Sequence, residues 1–154
     1  MGKSPLLEDD GVVIAETGAI AQYLLAKHDP GFTLHPRPGT PEFPRYLEWV
    51  HAAEGSVFLP GLMMFYLMNA ELGEHALSGM LGAEAMKAAA TIEQHLAKYN
   101  YFAGDAFTAA DCLMGFQIQN GAERFGLDGL PATKAWLERV QARPAYKRML
   151  EVGI

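Results

Sequence analysis

Cys112 is the only cysteine of the chain and its one candidate thiol nucleophile. A thiol gains reactivity when a helix N-terminus lowers its pKa, and Cys112 falls in the first turns of a predicted helix. The apolar residues that follow, Leu113 to Phe116, favour a second interpretation, in which Cys112 is a small buried core residue. A single cysteine also excludes an internal disulfide.

Two groups of acidic and histidine side chains have the residue types of metal ligands. Glu71 lies near the pair Glu74-His75, while His51 and Glu54 are three residues apart on a predicted helix. Neither group forms a His-Glu-x-x-His motif or supplies four ligands. We therefore interpret the first as a solvated charge cluster and the second as a helical pair, and we expect no metal site.

Thr108 and Asp111 have the spacing of a helix capping box. The Thr108 hydroxyl can accept from the backbone three residues on, and the Asp111 carboxylate can accept from the Thr108 N–H. Phe107 before the cap and Cys112 inside the helix have the spacing of a hydrophobic staple. We predict that a core helix begins here.

Composition limits the function classes. Half of the 154 residues are apolar, which suits a single domain with a sizeable core. The formal charge of −6 and the pI of about 5.3 argue against nucleic acid as a partner. No uninterrupted apolar run approaches the roughly 20 residues that span a bilayer, and no signal peptide is recognisable. We expect a cytoplasmic protein without a membrane segment.

The first 41 residues predict a hairpin, a helix and a linker. Strands at 4–8 and 12–15 flank the turn Asp9-Asp10-Gly11, and Thr17 is expected to cap a helix that ends near Lys27. Four prolines and two glycines between residues 30 and 41 then interrupt any periodic pattern. A domain boundary is predicted within this linker.

The remaining sequence predicts five or six helices. The first begins at Glu42 or Pro44, and Pro60 should kink or divide it because proline lacks the N–H donor. The apolar run 61–68 is interpreted either as a fully buried helix or as the wall of a hydrophobic pocket. Further helices are expected at 83–99, from Thr108 to about residue 120, at 131–142 and at 144–150.

Four segments together resemble the glutathione transferase family, in order and in spacing. They are GKSPLLEDDGVVIAET (2–17), YLEWVHAAEGS (46–56), FTAAD (107–111) and ARPAY (142–146). The resemblance implies a mainly α fold, in which a β-hairpin and helix, the remnant of a thioredoxin-like domain (1–28), and a linker (29–41) precede the complete all-α C-terminal domain (42–154). The strand, helix and strand that begin this family's fold have no counterpart. We expect either an N-terminally truncated protein or an oligomer that covers the gap.

The resemblance also implies a glutathione site. In the family, the residue before a cis-proline pairs with the cysteinyl backbone of glutathione, which assigns that role to Ser4 and Pro5. Glu16 and Thr17 match the residues that hold the γ-glutamyl ammonium and carboxylate. Lys3 is a candidate for the glycine carboxylate. Glutathione is thus the expected substrate, and no metal is implied.

The implied activity is conjugation of glutathione to small hydrophobic electrophiles, with Met63 and Tyr66 as candidates for their pocket. The family's thiol-activating residue follows its first strand, so no catalytic residue is assigned here, and whether this chain is an enzyme is left open. The alternative is a non-catalytic scaffold or protein-interaction module of the same fold. A homodimer is also implied. Tyr46 and Trp49 are interpreted either as its interface or as core residues.

Overall fold

A two-stranded antiparallel hairpin opens the fold. The computed structural model describes Gly2 and residues 4–152. Strands β1 (Leu6–Asp9) and β2 (Val12–Ala15) pair with Leu6 opposite Ala15. Asp10 and Gly11 form the turn with φ angles of 49° and 78°, as a type I′ hairpin requires of its two central residues. Strand β1 begins at Leu6 rather than at Ser4, because Pro5 cannot donate to a ladder.

Helix α1 (Thr17–His28) is fastened to the hairpin turn by one lysine. Lys27 Nζ lies 2.6 Å from Asp9 Oδ2 and 2.7 Å from Asp10 Oδ2, and the Tyr23 hydroxyl donates to Asp9 as well. These contacts raise the pKa of Lys27, and the hydrogen bond from Lys27 lowers the pKa of Asp9. Hairpin and helix are therefore held as one unit.

The segment 29–41 is organised by the Asp29 carboxylate. It accepts from the Thr33 N–H (2.9 Å), the Thr33 hydroxyl (2.6 Å) and the Leu34 N–H (2.7 Å), and it lies 3.0 Å from His35 Nδ1. These donors, Thr33 foremost, hold the pKa of Asp29 far below its usual range. A backbone hydrogen bond from the Ala109 N–H to the Leu34 carbonyl joins this segment to the helical part of the fold.

Helices α2 (Glu42–Ala52) and α3 (Leu59–Asn69) are joined by a π-helical turn (Ala53–Phe58), so the expected interruption lies immediately before Pro60. Among the described residues, the continuous stretch Glu42–Asn69 is long and apolar enough to cross a membrane. Length and composition are weak arguments here, because core helices of soluble proteins meet the same criteria.

Four more helices complete the bundle: α4 (Ala76–Leu96), α5 (Ala109–Phe125), α6 (Pro131–Gln141) and α7 (Pro144–Val152). Helix α4 begins at Ala76 and not at Ala83, because the His75 side chain caps it by accepting from the Leu77 N–H. Helix α5 continues through Gly121 to Phe125, beyond its expected end. Both glycine-containing stretches are helical because tertiary packing overrides the modest helix penalty of glycine.

The core is built around the buried Asp111 carboxylate. Helix α5 begins with the expected capping box, in which Asp111 Oδ2 accepts from the Thr108 N–H (2.8 Å) and hydroxyl (3.1 Å). Its other oxygen, Oδ1, accepts from Trp136 Nε1 of α6 (2.9 Å) and from the Phe102 N–H (3.1 Å). One carboxylate thus joins two helices and the turn between α4 and α5.

The structure bears on three alternatives that the sequence left open. Tyr46 and Trp49 are core residues with 1% and 5% exposure. The Met-rich helix α3 is not fully buried: Pro60 is its one buried residue, and Phe65, Tyr66 and Met68 are exposed. Cys112 is also exposed and is not a core residue.

Replacing Asp111 with alanine should strongly destabilise the fold. The variant leaves buried backbone and indole N–H donors without an acceptor, and we expect the free energy of unfolding to fall by roughly 3–5 kcal/mol. Urea denaturation followed by circular dichroism measures this. The control is Asp105→Ala, since Asp105 is exposed and, among the residues that the structure describes, accepts a hydrogen bond from Asn100 alone; its effect should stay within about 0.5 kcal/mol. Equal effects of the two variants would contradict the central role of Asp111.

The Asp29 carboxylate should make stability depend on pH in the acid range. Because its pKa is lowered by folding, it stabilises the fold fully above the ordinary aspartate pKa of about 3.9, and this contribution is lost as the pH falls below that value. Denaturation curves between pH 6 and pH 2.5 should therefore show a shallower acid decline for Asp29→Asn than for the parent protein. The same decline in both would show that Asp29 is not responsible.

Candidate functional site

The open end of the hairpin brings four of the predicted site residues together. Because Leu6 lies opposite Ala15, the residues just before β1 and just after β2 share one end of the ladder. Those residues are Ser4 and Pro5 on one side and Glu16 and Thr17 on the other. The Ser4–Pro5 peptide bond is cis, as the resemblance implied, and both residues are exposed.

Glu16 has an unusual backbone conformation at this end of the hairpin. Its φ of 74° and ψ of 118° lie in a region that residues other than glycine rarely adopt. Such a conformation costs on the order of 1–3 kcal/mol and is typical of binding and catalytic sites. The Glu16 side chain is exposed and does not cap α1. Its carboxylate is therefore available to a ligand.

Thr17 is the first residue of α1 and not its cap, which corrects the sequence interpretation. Glu16 occupies the N-cap position, and its carbonyl accepts from the Ile20 N–H at 2.9 Å. The first backbone N–H groups of a helix have no intrahelical acceptor and, with the helix dipole, attract anions. The N–H groups that begin α1 at Thr17 can thus bind a carboxylate of a ligand. The carboxylate of Glu16 belongs to the residue just before them.

Contacts with the bundle hold this half-site in place. Leu25 of α1 is buried in the main core, and a Cβ placed on Gly18 would lie 3.8 Å from Val50 Cγ1 of α2. The start of α1 therefore lies directly against α2. Lys3, the candidate for the glycine carboxylate, lies outside the described residues, so its role stays a prediction.

A second candidate region lies between α3 and α5. Phe58 at the end of the π turn and Phe116 of α5 meet edge to face, with ring centroids 6.4 Å apart. Phe65 and Tyr66 of α3 are adjacent to each other at 6.0 Å, and both are exposed. Aromatic rings of the π turn, α3 and α5 could line a pocket for an apolar ligand.

The two residues predicted for that pocket differ in their placement. Tyr66 is one residue from Phe65, on the neighbouring part of the α3 surface. Met63 is two residues from Phe65, which places it about 160° around the helix. Phe58, Phe65 and Phe116 were not found from the sequence, because an apolar helix without a periodic pattern does not reveal which side faces α5.

The described residues contain no group of three or more His, Cys, Asp or Glu side chains that could hold a metal ion.

The thiol pKa of Cys112 is raised, chiefly because desolvation disfavours the thiolate and also because of the Asp111 charge. Its exposure therefore does not make it a nucleophile at neutral pH.

Comparisons with known proteins agree with this architecture. The C-terminal domain of the glutathione S-transferase family matches residues 60–144, and the N-terminal domain of that family matches residues 1–26. Glutathione S-transferase 3 of Schizosaccharomyces pombe is 32% identical over 163 residues, a match that covers 96% of this chain and 66% of that protein.

Solved structures show the same fold. A glutathione S-transferase of Actinobacillus pleuropneumoniae has a TM-score of 0.87 at 27% identity, covering 97% of this chain and 68% of that one. A sphingomonad glutathione S-transferase solved with glutathione has a TM-score of 0.81 at 22% identity, covering 98% and 74%. The chain thus spans about two thirds of the length of these proteins. It is a mainly α protein that belongs to the glutathione S-transferase family.

Proposed function

We propose that this chain binds glutathione at the open end of its hairpin and, within a complete transferase, presents it to hydrophobic electrophiles. One observation carries the proposal: Ser4, just before β1, and the positive-φ residue Glu16, just after β2, lie at the same end of one ladder, beside the start of α1. Homologues that bind glutathione support the choice of ligand.

The chemistry of glutathione fits the groups at this end. Its γ-glutamyl part carries an ammonium and a carboxylate, which the exposed Glu16 carboxylate and the N–H groups that begin α1 complement. Its cysteinyl backbone has one donor and one acceptor, and Ser4 offers the same pair just before β1, in the manner of an added strand. Lys3 is the proposed partner for the glycine carboxylate.

Conjugation also requires a donor that stabilises the glutathione thiolate, and we assign this role to no residue of the chain. The exposed rings between α3 and α5, with Tyr66 beside them and Met63 farther around α3, are the proposed pocket for the electrophile.

The alternative function is a non-catalytic module of the same fold. In that case the end of the hairpin binds no glutathione. A cytoplasmic location stays a prediction.

Neutralising Glu16 should weaken glutathione binding. Glu16→Gln keeps the size of the side chain but removes the charge that meets the ammonium, and we expect the Kd to rise by about tenfold or more. Isothermal titration of millimolar glutathione into the 154-residue chain measures this.

The matched control is Glu8→Gln, an exposed glutamate of the same hairpin on β1 that lies away from its open end. Its Kd should equal that of the parent protein. Absence of binding by a folded parent protein would remove the glutathione proposal for this chain and favour the scaffold alternative. Equal weakening by the two variants would point to a general charge effect instead of a site.

We further propose a homodimer, formed through a cleft of about 460 Å³ between α2 with its π turn and α4. His51, Ser56, Lys87 and Thr91 are among its lining residues. Met80 is 67% exposed and lies one helical turn before Glu84 of the cleft. An exposed apolar side chain beside a concave surface of mixed charge is suited to contact with a second copy.

Blocking the cleft should dissociate the dimer. Thr91→Arg places a long cation on the exposed rim beside Lys87, where it fills the cleft and repels the neighbouring charge. Sedimentation equilibrium should give about twice the chain mass of 16.8 kDa for the parent protein and the monomer mass for the variant. Met86→Arg, on the other side of α4, should remain dimeric. A monomeric parent protein would overturn the proposal.

A further inference from the structure

A cleft of about 330 Å³ lies where the end of α5, the turn after it and one face of α6 meet. We call it the α5–α6 cleft. Its lining combines apolar and charged side chains, among them Ala122, Leu127, Leu137, Asp128, Lys134 and Glu138. The cleft belongs neither to the hairpin end nor to the rings between α3 and α5, so the function proposed above does not use it.

Hydrogen bonds hold both walls of the cleft in place. On one side, the Leu130 N–H donates to the Leu127 carbonyl at 3.0 Å, which closes the turn after α5. On the other side, the Glu93 carboxylate of α4 accepts from the Ala132 and Thr133 N–H groups, both at 2.9 Å. Glu93 thereby fixes the start of α6 and occupies these two backbone donors. Both walls are thus defined by the fold itself.

The charged side chains of the cleft do not neutralise one another. Lys134 and Glu138 are four residues apart on α6, a spacing at which opposite charges come within reach of each other. Among the residues that the structure describes, neither this pair nor Lys134 and Asp128 forms an ion pair within 4.0 Å. The cleft therefore presents one positive and two negative groups at separate positions.

Solvation explains each of these charges taken singly, because charged side chains normally lie at the surface. It does not explain the apolar side chains beneath them. Leu137 is only 9% exposed, and Ala122 and Leu127 are partly buried, whereas the three charged side chains are exposed. A concave surface with an apolar floor and a few polar groups at its rim is the usual form of a small-molecule site.

A ligand that satisfies all of these groups carries both charges and an apolar part. The Lys134 ammonium complements a carboxylate, and the Asp128 and Glu138 carboxylates complement an ammonium. An amino acid with an apolar side chain has this combination, and so does a dipeptide of such residues. The volume of about 330 Å³ is at the lower end of the range for ligand pockets, which favours a ligand of this small size.

We propose that the α5–α6 cleft is a second ligand site of this protein and that it binds a zwitterionic amino acid or dipeptide with an apolar side chain. Lys134 contacts the ligand carboxylate, and Asp128 and Glu138 contact its ammonium group. Leu127 and Leu137 contact its side chain. The inference goes beyond the proposed function, because the cleft shares no residue with the hairpin end and does not depend on glutathione.

Phenylalanine and two analogues that each lack one charge test the proposal. 3-Phenylpropionate has no ammonium group, and 2-phenylethylamine has no carboxylate. In a nuclear magnetic resonance titration of the isotope-labelled 154-residue chain, millimolar phenylalanine should shift backbone amide signals of residues 127–141. Each analogue should bind there with a Kd at least about tenfold higher, because each leaves one charged group of the cleft without its partner.

Variants of the two charges on α6 separate their contributions. Lys134→Gln should raise the Kd of phenylalanine about tenfold without raising that of 2-phenylethylamine, and Glu138→Gln should do so without raising that of 3-phenylpropionate. Both side chains are exposed, so neither variant should alter the melting temperature. The matched controls are Lys147→Gln on α7 and Glu74→Gln before α4. They remove exposed charges elsewhere and should bind phenylalanine as the parent protein does.

The inference is overturned if phenylalanine shifts no signal of residues 127–141, or if the three compounds bind there with equal affinity. Equal affinity would indicate contact through the aromatic ring alone. Unchanged binding by both α6 variants would overturn it as well. Glu16→Gln should bind phenylalanine as tightly as the parent protein, because Glu16 belongs to the hairpin end. Loss of phenylalanine binding in that variant would place the ligand at the hairpin end and remove the second site.

Discussion

The Asp111 carboxylate is the interaction on which the helical part of this structure depends. Burial raises its pKa, and hydrogen bonds from Thr108, Trp136 and Phe102 oppose that shift by stabilising the charged form. A buried charge is tolerated only when it is this completely bonded. Because its donors come from α6 and from the turn before α5 as well as from α5 itself, forming the carboxylate cluster fixes the origin and direction of α5.

The position of the start of α5 determines the positions of both candidate sites. Ala109, one residue after the cap, donates to Leu34, whose N–H donates to Asp29 at the end of α1. Helix α1 in turn carries the hairpin through Lys27. The hairpin end is therefore located relative to the start of α5 by a short series of polar contacts, which run from the partly buried Asp29 carboxylate to the exposed Lys27–Asp9 pair.

Local chemistry explains what could be predicted from sequence. The capping box, the Asp10-Gly11 turn and the prolines that begin α6 and α7 each depend on a few neighbouring residues, and the structure confirms them. The exposure of Cys112 and the burial of Trp49 depend on packing between distant segments, which periodicity does not encode. Phe58 and Phe116 are far apart in sequence, and a contact between distant segments has no local signal.

In the proposed function, different segments of the fold bind the two reactants. A conjugation reaction gains most from holding the thiolate and the electrophile in reactive geometry, and misplacement of about 1 Å is costly. The strained Glu16 backbone and the start of α1 would orient glutathione, while the rings of α3 and α5 would orient the acceptor. These groups belong to separate segments joined through Asp29 and Asp111. Residues that touch neither ligand therefore set the distance between the two reactants.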